Sequence, residues 1–241
     1  MTEFLISRGM TGLKILAVES SAVCASVAVC DNGRIISENY INAGRTHSQT
    51  LMPMVKSCID TAGVTLDDID LIAVAHGPGS FTGVRIGIAA VKGIAFGGKA
   101  CCGVSTLEAM AYNLKGVDCV ALCAMDARCS QVYMAMFDCE NDVVRFCEDK
   151  AVMIAEIPEM IKNFKKDVII LGDGAELCYN YLKTVCDNVR LAPVLSRYQR
   201  ASSVALAAEC GAGERVSADE LNPVYLRVPQ AERELKKRRA E

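Results

Sequence analysis

The sequence predicts an α/β protein made of two successive βββαβα units, and three observations carry that expectation. Short apolar segments alternate with longer ones in which apolar residues recur at helical spacing. Turn residues punctuate them, notably Asp31-Asn32-Gly33, Gly63 and Gly77-Pro78-Gly79. The element order of the first half then repeats in the second, as a repeat of topology rather than of sequence. A chain of 241 residues, 51% apolar and 23% charged, has the composition of a globular protein with a sizeable core.

Residues 13–20, 25–30 and 34–40 read as strands, the last two joined by the Asp31-Asn32-Gly33 hairpin turn. A helix follows from Thr46 or His47 to Ala62. Leu51, Met54, Val55, Cys58, Ile59 and Ala62 share one face, and Gly63 stops it. A strand at 70–75, a glycine-rich turn and a helix at 82–96 complete the first unit, followed by a strand at 100–104 and a helix at 106–114. The second unit has strands at 119–125, 131–137 and 143–148, a helix at 157–164, a strand at 167–171 and a helix at 176–185. Residues 201–211 read as another helix, stopped by Gly211 or Gly213, and 221–228 as an extended segment.

These elements divide into an N-terminal extension (1–12), a first lobe (13–116) and a second lobe (117–241) carrying a terminal helix and a basic tail. The cluster at 233–239 reads as a solvated helix end, with nucleic-acid contact as the alternative. A duplicated βββαβα order resembles the actin/Hsp70/sugar-kinase superfamily, in which two ribonuclease-H-like lobes face each other across a cleft.

A net charge of −3 argues against a protein that grips nucleic acid by its overall field, though a local basic patch remains open. The 13 cysteines are odd in number and several, such as Cys24, Cys30, Cys119 and Cys123, sit in apolar runs. They read as reduced core residues. No Cys-x-x-Cys pair suggests structural zinc. The first twelve residues do not make a secretory signal, and no apolar run approaches the roughly 20 residues needed to cross a bilayer. The expectation is a cytoplasmic protein without membrane contact.

Residues 76–87, His-Gly-Pro-Gly-Ser-Phe-Thr-Gly-Val-Arg-Ile-Gly, pass from strand through turn into helix. Such a turn can offer backbone N–H groups to an anion. Its glycines can equally serve a sharp bend, with Gly83, Gly87 and Ala90 letting another helix approach. A working nucleotide site would also need glycines and an acid in the first hairpin of each lobe. The chain offers Glu19-Ser20-Ser21-Ala22 and Asp126-Ala127-Arg128-Cys129-Ser130, both without glycine. A glycine pair for adenosine survives in part at Gly172 and Gly174. A remnant, weak nucleotide cleft would therefore comprise Glu19, Ser20, Asp126, Arg128, Gly172 and Gly174.

Metal and nucleophile chemistry have little to work with. The only histidines are His47 and His76, and the positions three and four residues after His47 hold Thr50 and Leu51 rather than a second ligand. Ser80 lies near His76, but Gly-Pro-Gly-Ser-Phe is not the Gly-x-Ser-x-Gly nucleophile elbow.

Five segments together carry a family resemblance: 15–21 (Ile-Leu-Ala-Val-Glu-Ser-Ser), 46–49 (Thr-His-Ser-Gln) before Leu51 and Pro53, 76–87, 126–128 (Asp-Ala-Arg) with Val132-Tyr133, and 223–227 (Pro-Val-Tyr-Leu-Arg). Over 13–227 the chain resembles the bacterial TsaB (YeaZ) family of tRNA threonylcarbamoyladenosine biosynthesis proteins. The resemblance implies a noncatalytic partner of the paralogue TsaD, working with the ATPase TsaE. TsaD transfers a threonylcarbamoyl group to N6 of the adenosine beside the anticodon. Its His-x-x-x-His pair corresponds here to His47 and Leu51. The family also implies helix-to-helix pairing with TsaD, homodimers of the isolated chain through the same surface, and tRNA contact through the complex. No cofactor is required of this chain, with ATP or ADP entering through its partners.

The expected interface is the apolar face of the first helix (His47, Leu51, Met54, Val55, Cys58) and of the second (Val84, Arg85, Gly87, Ile88, Val91). Val84, Ile88, Val91 and Ala95 form one stripe, with Gly83, Gly87, Ala90 and Ile94 beside it, so this helix is apolar on more than one face. Burial wholly within the lobe is the alternative. Charged replacements at Val84 or Ile88 are expected to block partner binding and spare the fold. Arg85 is placed at the interface rim or facing a phosphate. Two other readings stand beside this one: a degenerate ATP-dependent phosphotransferase of the same superfamily, and a tRNA-binding module relying on the basic tail.

Overall fold

The computed structural model describes residues 12–227. Most of the expected N-terminal extension and the whole basic cluster at 233–239 lie outside them. The first sheet begins with β1 (Lys14–Glu19), β2 (Ala25–Asp31) and β3 (Arg34–Ile41), an antiparallel meander turned at Asn32 and Gly33, both in the left-handed region. Helix α1 (His47–Ala62) ends at Gly63, whose φ of 68° matches a left-handed cap. Strand β4 (Leu71–Gly77) pairs parallel to β1, and α2 (Phe81–Ile94) starts at the Ser80 cap, whose hydroxyl accepts from Gly83 N. Strand β5 (Ala100–Ser105) pairs parallel to β4 and leads into α3 (Thr106–Ala111), which tightens into a 3-10 turn at Tyr112–Leu114.

The second sheet repeats the pattern with β6 (Val120–Arg128) antiparallel to β7 (Gln131–Asp138). The third strand expected at 143–148 is split. β8 (Val144–Arg145) pairs with one end of β7 and β9 (Lys150–Met153) with the other, and the break accommodates the bonds of Arg145 to Asp149 and Glu108. Helix α4 (Ile157–Ile161), β10 (Val168–Leu171) and α5 (Ala175–Leu182) follow. Both helices are shorter than their apolar periodicity predicts. β11 (Val189–Leu191), α6 (Val194–Arg197), α7 (Ala201–Glu209) and β12 (Arg215–Val216) end the regular structure. The sheet orders are β12-β5-β4-β1-β2-β3 and β11-β10-β6-β7-β8.

Each central strand is apolar on both faces because each face has its own cover. In β1, Leu16 and Val18 pack beneath α1 and α2, while Ile15 and Ala17 pack beneath α7. In β6, Val120, Leu122 and Ala124 meet the side carrying α4 and α5, while Ala121, Cys123 and Met125 meet α3. Helix α7 follows the second unit in sequence but lies on the first sheet, where Val204, Ala205 and Ala208 join the core of Leu13, Leu71 and Ala73. The two sheets thus share an apolar seam, with Leu107 and Met110 of α3 against Phe137 and Met125. Cys24, Cys30, Cys119 and Cys123 are buried free thiols, as their apolar neighbours predict. Among the described residues no helix is long and apolar enough to cross a membrane.

Candidate functional site

Between the lobes lies a cavity of about 570 Å³, walled by Ser21 of the first hairpin, the 78–82 turn, Asp126 and Arg128 of the second hairpin, Asp173, and the final described segment. Glu19, at the end of β1, is buried behind this wall. Its Oε1 accepts from Ser21 N at 2.5 Å, and its Oε2 has no partner. Burial pushes its carboxyl up to about 7. Burial also raises the Asp173 carboxyl, which accepts from Gln199 Nε2 at 3.1 Å. Asp126 accepts from Arg128 N at 2.7 Å and faces the Arg128 guanidinium at 3.3 Å.

The six residues of the expected remnant cleft therefore fall into different environments. Asp126 and Arg128 reach the cavity. Glu19 and Ser20 lie beneath it, with Ser20 Oγ donating to Gly83 O at 2.9 Å. Gly172 and Gly174 are not among the residues that wall the cavity, and Cβ atoms there would run into the backbone of β6 at Ala124 and at Met125–Asp126. The glycine turn is tied in the same way. Ser80 N donates to Ser21 O at 2.7 Å, and side chains at Gly79, Gly83 and Gly87 would collide with Ser20 or Ser21. The neighbour admitted so closely by Gly83 and Gly87 is the first hairpin, not a second helix.

His47 is half-buried, with Nε2 hydrogen-bonded to the Ala22 carbonyl at 2.7 Å and Nδ1 buried without a partner. Leu51, one turn on, is core. His76 packs where Gly103 leaves room for its ring, and burial lowers its pKa. Among the described residues no three His, Cys, Asp or Glu side chains converge as a metal-ligand set.

The expected interface residues require a correction. Leu51, Met54, Val55, Cys58, Val84, Ile88 and Val91 form the core between the first sheet and its two helices, and Gly87 is buried against Ser20 and Val74. A charge at Val84 or Ile88 would enter that core, so the fold would not be spared. Arg85 does lie outside. Its guanidinium carbon sits 3.6 Å from the Phe81 ring centre, and Nε donates to Tyr225 OH at 2.7 Å. The outward face of α2 is instead made by Ala89 and Gly93, flanked by half-buried Ile86 and Ala90 and ending at Phe96, while Met52 is exposed on α1. Nothing lies within 4 Å of a Cβ placed on Gly93.

A sequence model of the family described as TsaD, tRNA N6-adenosine threonylcarbamoyltransferase, matches residues 41–235. The tRNA threonylcarbamoyladenosine biosynthesis protein TsaB of Escherichia coli is 33% identical over 223 residues, covering 89% of this chain and 95% of that protein. The chain belongs to the TsaB family. The solved structure of YeaZ from Pseudomonas aeruginosa matches this TsaB-family chain with a TM-score of 0.73 and 30% identity, over 89% of this chain and all of the other. Similarity of fold alone extends to the ethanolamine utilization protein EutJ of Carboxydothermus hydrogenoformans, at a TM-score of 0.52 and 12% identity over 81% of this chain and 90% of that one. The chain has the two-lobed α/β fold of the actin/Hsp70/sugar-kinase class.

The TsaB-family segment at 223–227 straps the cleft. Val224 N donates to His76 O at 2.8 Å, and Arg227 donates to Ala127 O at 2.8 Å, bridging from the first lobe to the second hairpin. Sequence reasoning missed Gln199 at the cleft floor because it belongs to no turn or repeat, and at 172–174 it singled out the two glycines rather than the Asp173 carboxylate between them. It also missed Gly93, although a glycine inside an otherwise regular helix was a usable signal.

Proposed function

We propose that this TsaB-family chain serves the formation of N6-threonylcarbamoyladenosine in tRNA as a noncatalytic, activating subunit that docks on the catalytic paralogue TsaD. The observation that carries the reading is the second face of α2. The inner face is committed to the core through Val84, Ile88 and Val91, whereas Ala89 and Gly93 are exposed and nothing described lies within 4 Å of a Cβ built on Gly93. Glycine inside a helix costs about 1 kcal/mol relative to alanine, and among the described residues nothing packs against position 93 to require it. Small residues along one face let two helix backbones come close and bury the flanking apolar groups, here Ile86, Ala90 and Met52.

The cleft supports the noncatalytic part of the reading. Its glycines are filled by the chain's own backbone, and the helical position after His47 that would supply a second ligand is a core leucine. TsaE, tRNA and any nucleotide then act through the assembled complex, and the free chain pairs with itself through the same face.

The test is co-purification of tagged chain with TsaD. Ala89→Arg places a long cation on the outer face without touching the core. Loss of TsaD capture by a variant with unchanged thermal unfolding is the expected result. Undiminished capture would overturn the assignment of this face.

A further inference from the structure

A second surface feature lies at the other end of α2, away from the cleft. A groove of about 770 Å³ runs between the end of this helix and β12. Three cations line it, Lys92, Lys99 and Arg215. Lys92 Nζ donates to the Asp219 main-chain oxygen at 3.2 Å and Lys99 Nζ to Ile69 O at 3.0 Å. Among the described residues none of the three is ion-paired, in contrast to Lys166, which meets Asp118, Asp138 and Glu140 together. Each ammonium keeps further donors after its one carbonyl bond.

Phe96 stands at the rim. It is 92% exposed, the most exposed large apolar side chain among the described residues. Beside it, Gly97 and Gly98 have φ of 112° and 104°, and nothing lies within 4 Å of a Cβ built on either. The two acids of the groove oppose this charge only in part. Glu220 accepts from Ser217 N at 3.0 Å and from Oγ at 2.8 Å and keeps its charge, so Asp219 and Glu220 together oppose two of the three cations and the groove keeps a net charge of one positive.

Cations in excess of the acids and outside any ion pair among the described residues, an exposed aromatic ring and a side-chain-free backbone stretch are the components of a single-strand nucleic-acid platform. Phosphates follow the cations and a base stacks on the ring. We propose that this groove binds a single-stranded stretch of RNA, with Lys92, Lys99 and Arg215 on the phosphates and Phe96 beneath a base. Stacking and phosphate contact do not separate RNA from DNA; the choice of RNA rests on the tRNA-modifying role proposed above. The groove shares Gly93 with the outer face of α2, so RNA seated there would touch the edge of the docking face.

The test uses the full chain, alone and with TsaD, and a labelled single-stranded RNA of about 12 nucleotides followed by fluorescence anisotropy between about 50 and 200 mM salt. Phe96→Ala is expected to weaken binding roughly fivefold or more with an unchanged salt slope. The triple change Lys92→Gln, Lys99→Gln, Arg215→Gln is expected to flatten the slope of log affinity against log salt by about 2, at about 0.7 per lost phosphate contact. The triple variant, whose residues lie outside the docking face, should capture TsaD as the unaltered chain does. Absence of RNA binding by the unaltered chain in either form, or equal affinity and slope in all three proteins, would overturn the proposal. Loss of TsaD capture by Phe96→Ala with RNA binding intact would likewise overturn it and make the groove a protein interface. Ala89→Arg without TsaD but with normal RNA affinity would leave the groove assignment standing on its own.

Discussion

The glycines of the cleft and the glycine on the outer face of α2 look alike in sequence and differ in what surrounds them. At Gly79, Gly83, Gly87, Gly172 and Gly174 a side chain would strike the chain's own backbone or a packed serine. At Gly93 it would meet nothing. The first group is explained by folding alone. The second has no such explanation among the described residues, and the proposal that a partner covers it moves the functional emphasis from the cleft to the surface.

The largest effect expected from breaking this contrast is at Gly172. Its φ of 106° is unfavourable for any side chain, and a Cβ would collide with the Ala124 carbonyl. Gly172→Ala should cost about 4 kcal/mol or more in chemical denaturation, or fail to give soluble protein. Near-native stability would mean that the second-lobe hairpin can move away and that the cleft glycines are not committed to packing.

An intermediate effect is expected at Glu19. Its folded-state carboxyl is raised to about 7 from an ordinary 4.5, so the folded protein holds this proton more tightly than the unfolded chain. The stabilisation is complete below about pH 4.5 and declines as pH rises through 7. Glu19→Gln removes the charge while keeping an acceptor for Ser21 N. It should flatten the fall in stability between about pH 5 and 8, with a difference on the order of 2–3 kcal/mol across that window. Parallel stability curves for the two proteins would show that Glu19 finds compensation for its charge in solution.

The fold was largely legible in the sequence because the central strands are covered on both faces. The run from Ile15 to Val18 is apolar throughout and reads as a strand whatever covers it. Elements defined by tertiary pairing were not legible. β12 is two residues long and exists through its pairing with Cys101 and Cys102 of β5, and nothing local sends α7 back to the first sheet. At the candidate site, periodicity identified the apolar faces of α1 and α2 but not what covers them. Periodicity alone makes Leu51, Val84 and Ile88 look like interface, whereas their own sheet buries them. Gly172 and Gly174 misled in the opposite sense, since a glycine that admits a ligand and one that admits Ala124 have the same letter.

The smallest effect on the isolated chain is expected at Gly93, and it is also the most direct test of the central claim. Gly93→Ala should stabilise the monomer by up to about 1 kcal/mol, because an exposed helix position gains propensity without a clash. Gly93→Leu should keep the fold equally well. The decisive measurement is calorimetric titration of TsaD with the unaltered chain and with Gly93→Leu, alongside thermal unfolding of each. The account predicts an equal or higher melting temperature with affinity for TsaD reduced by about tenfold or more. Unchanged affinity in a folded Gly93→Leu protein would contradict it.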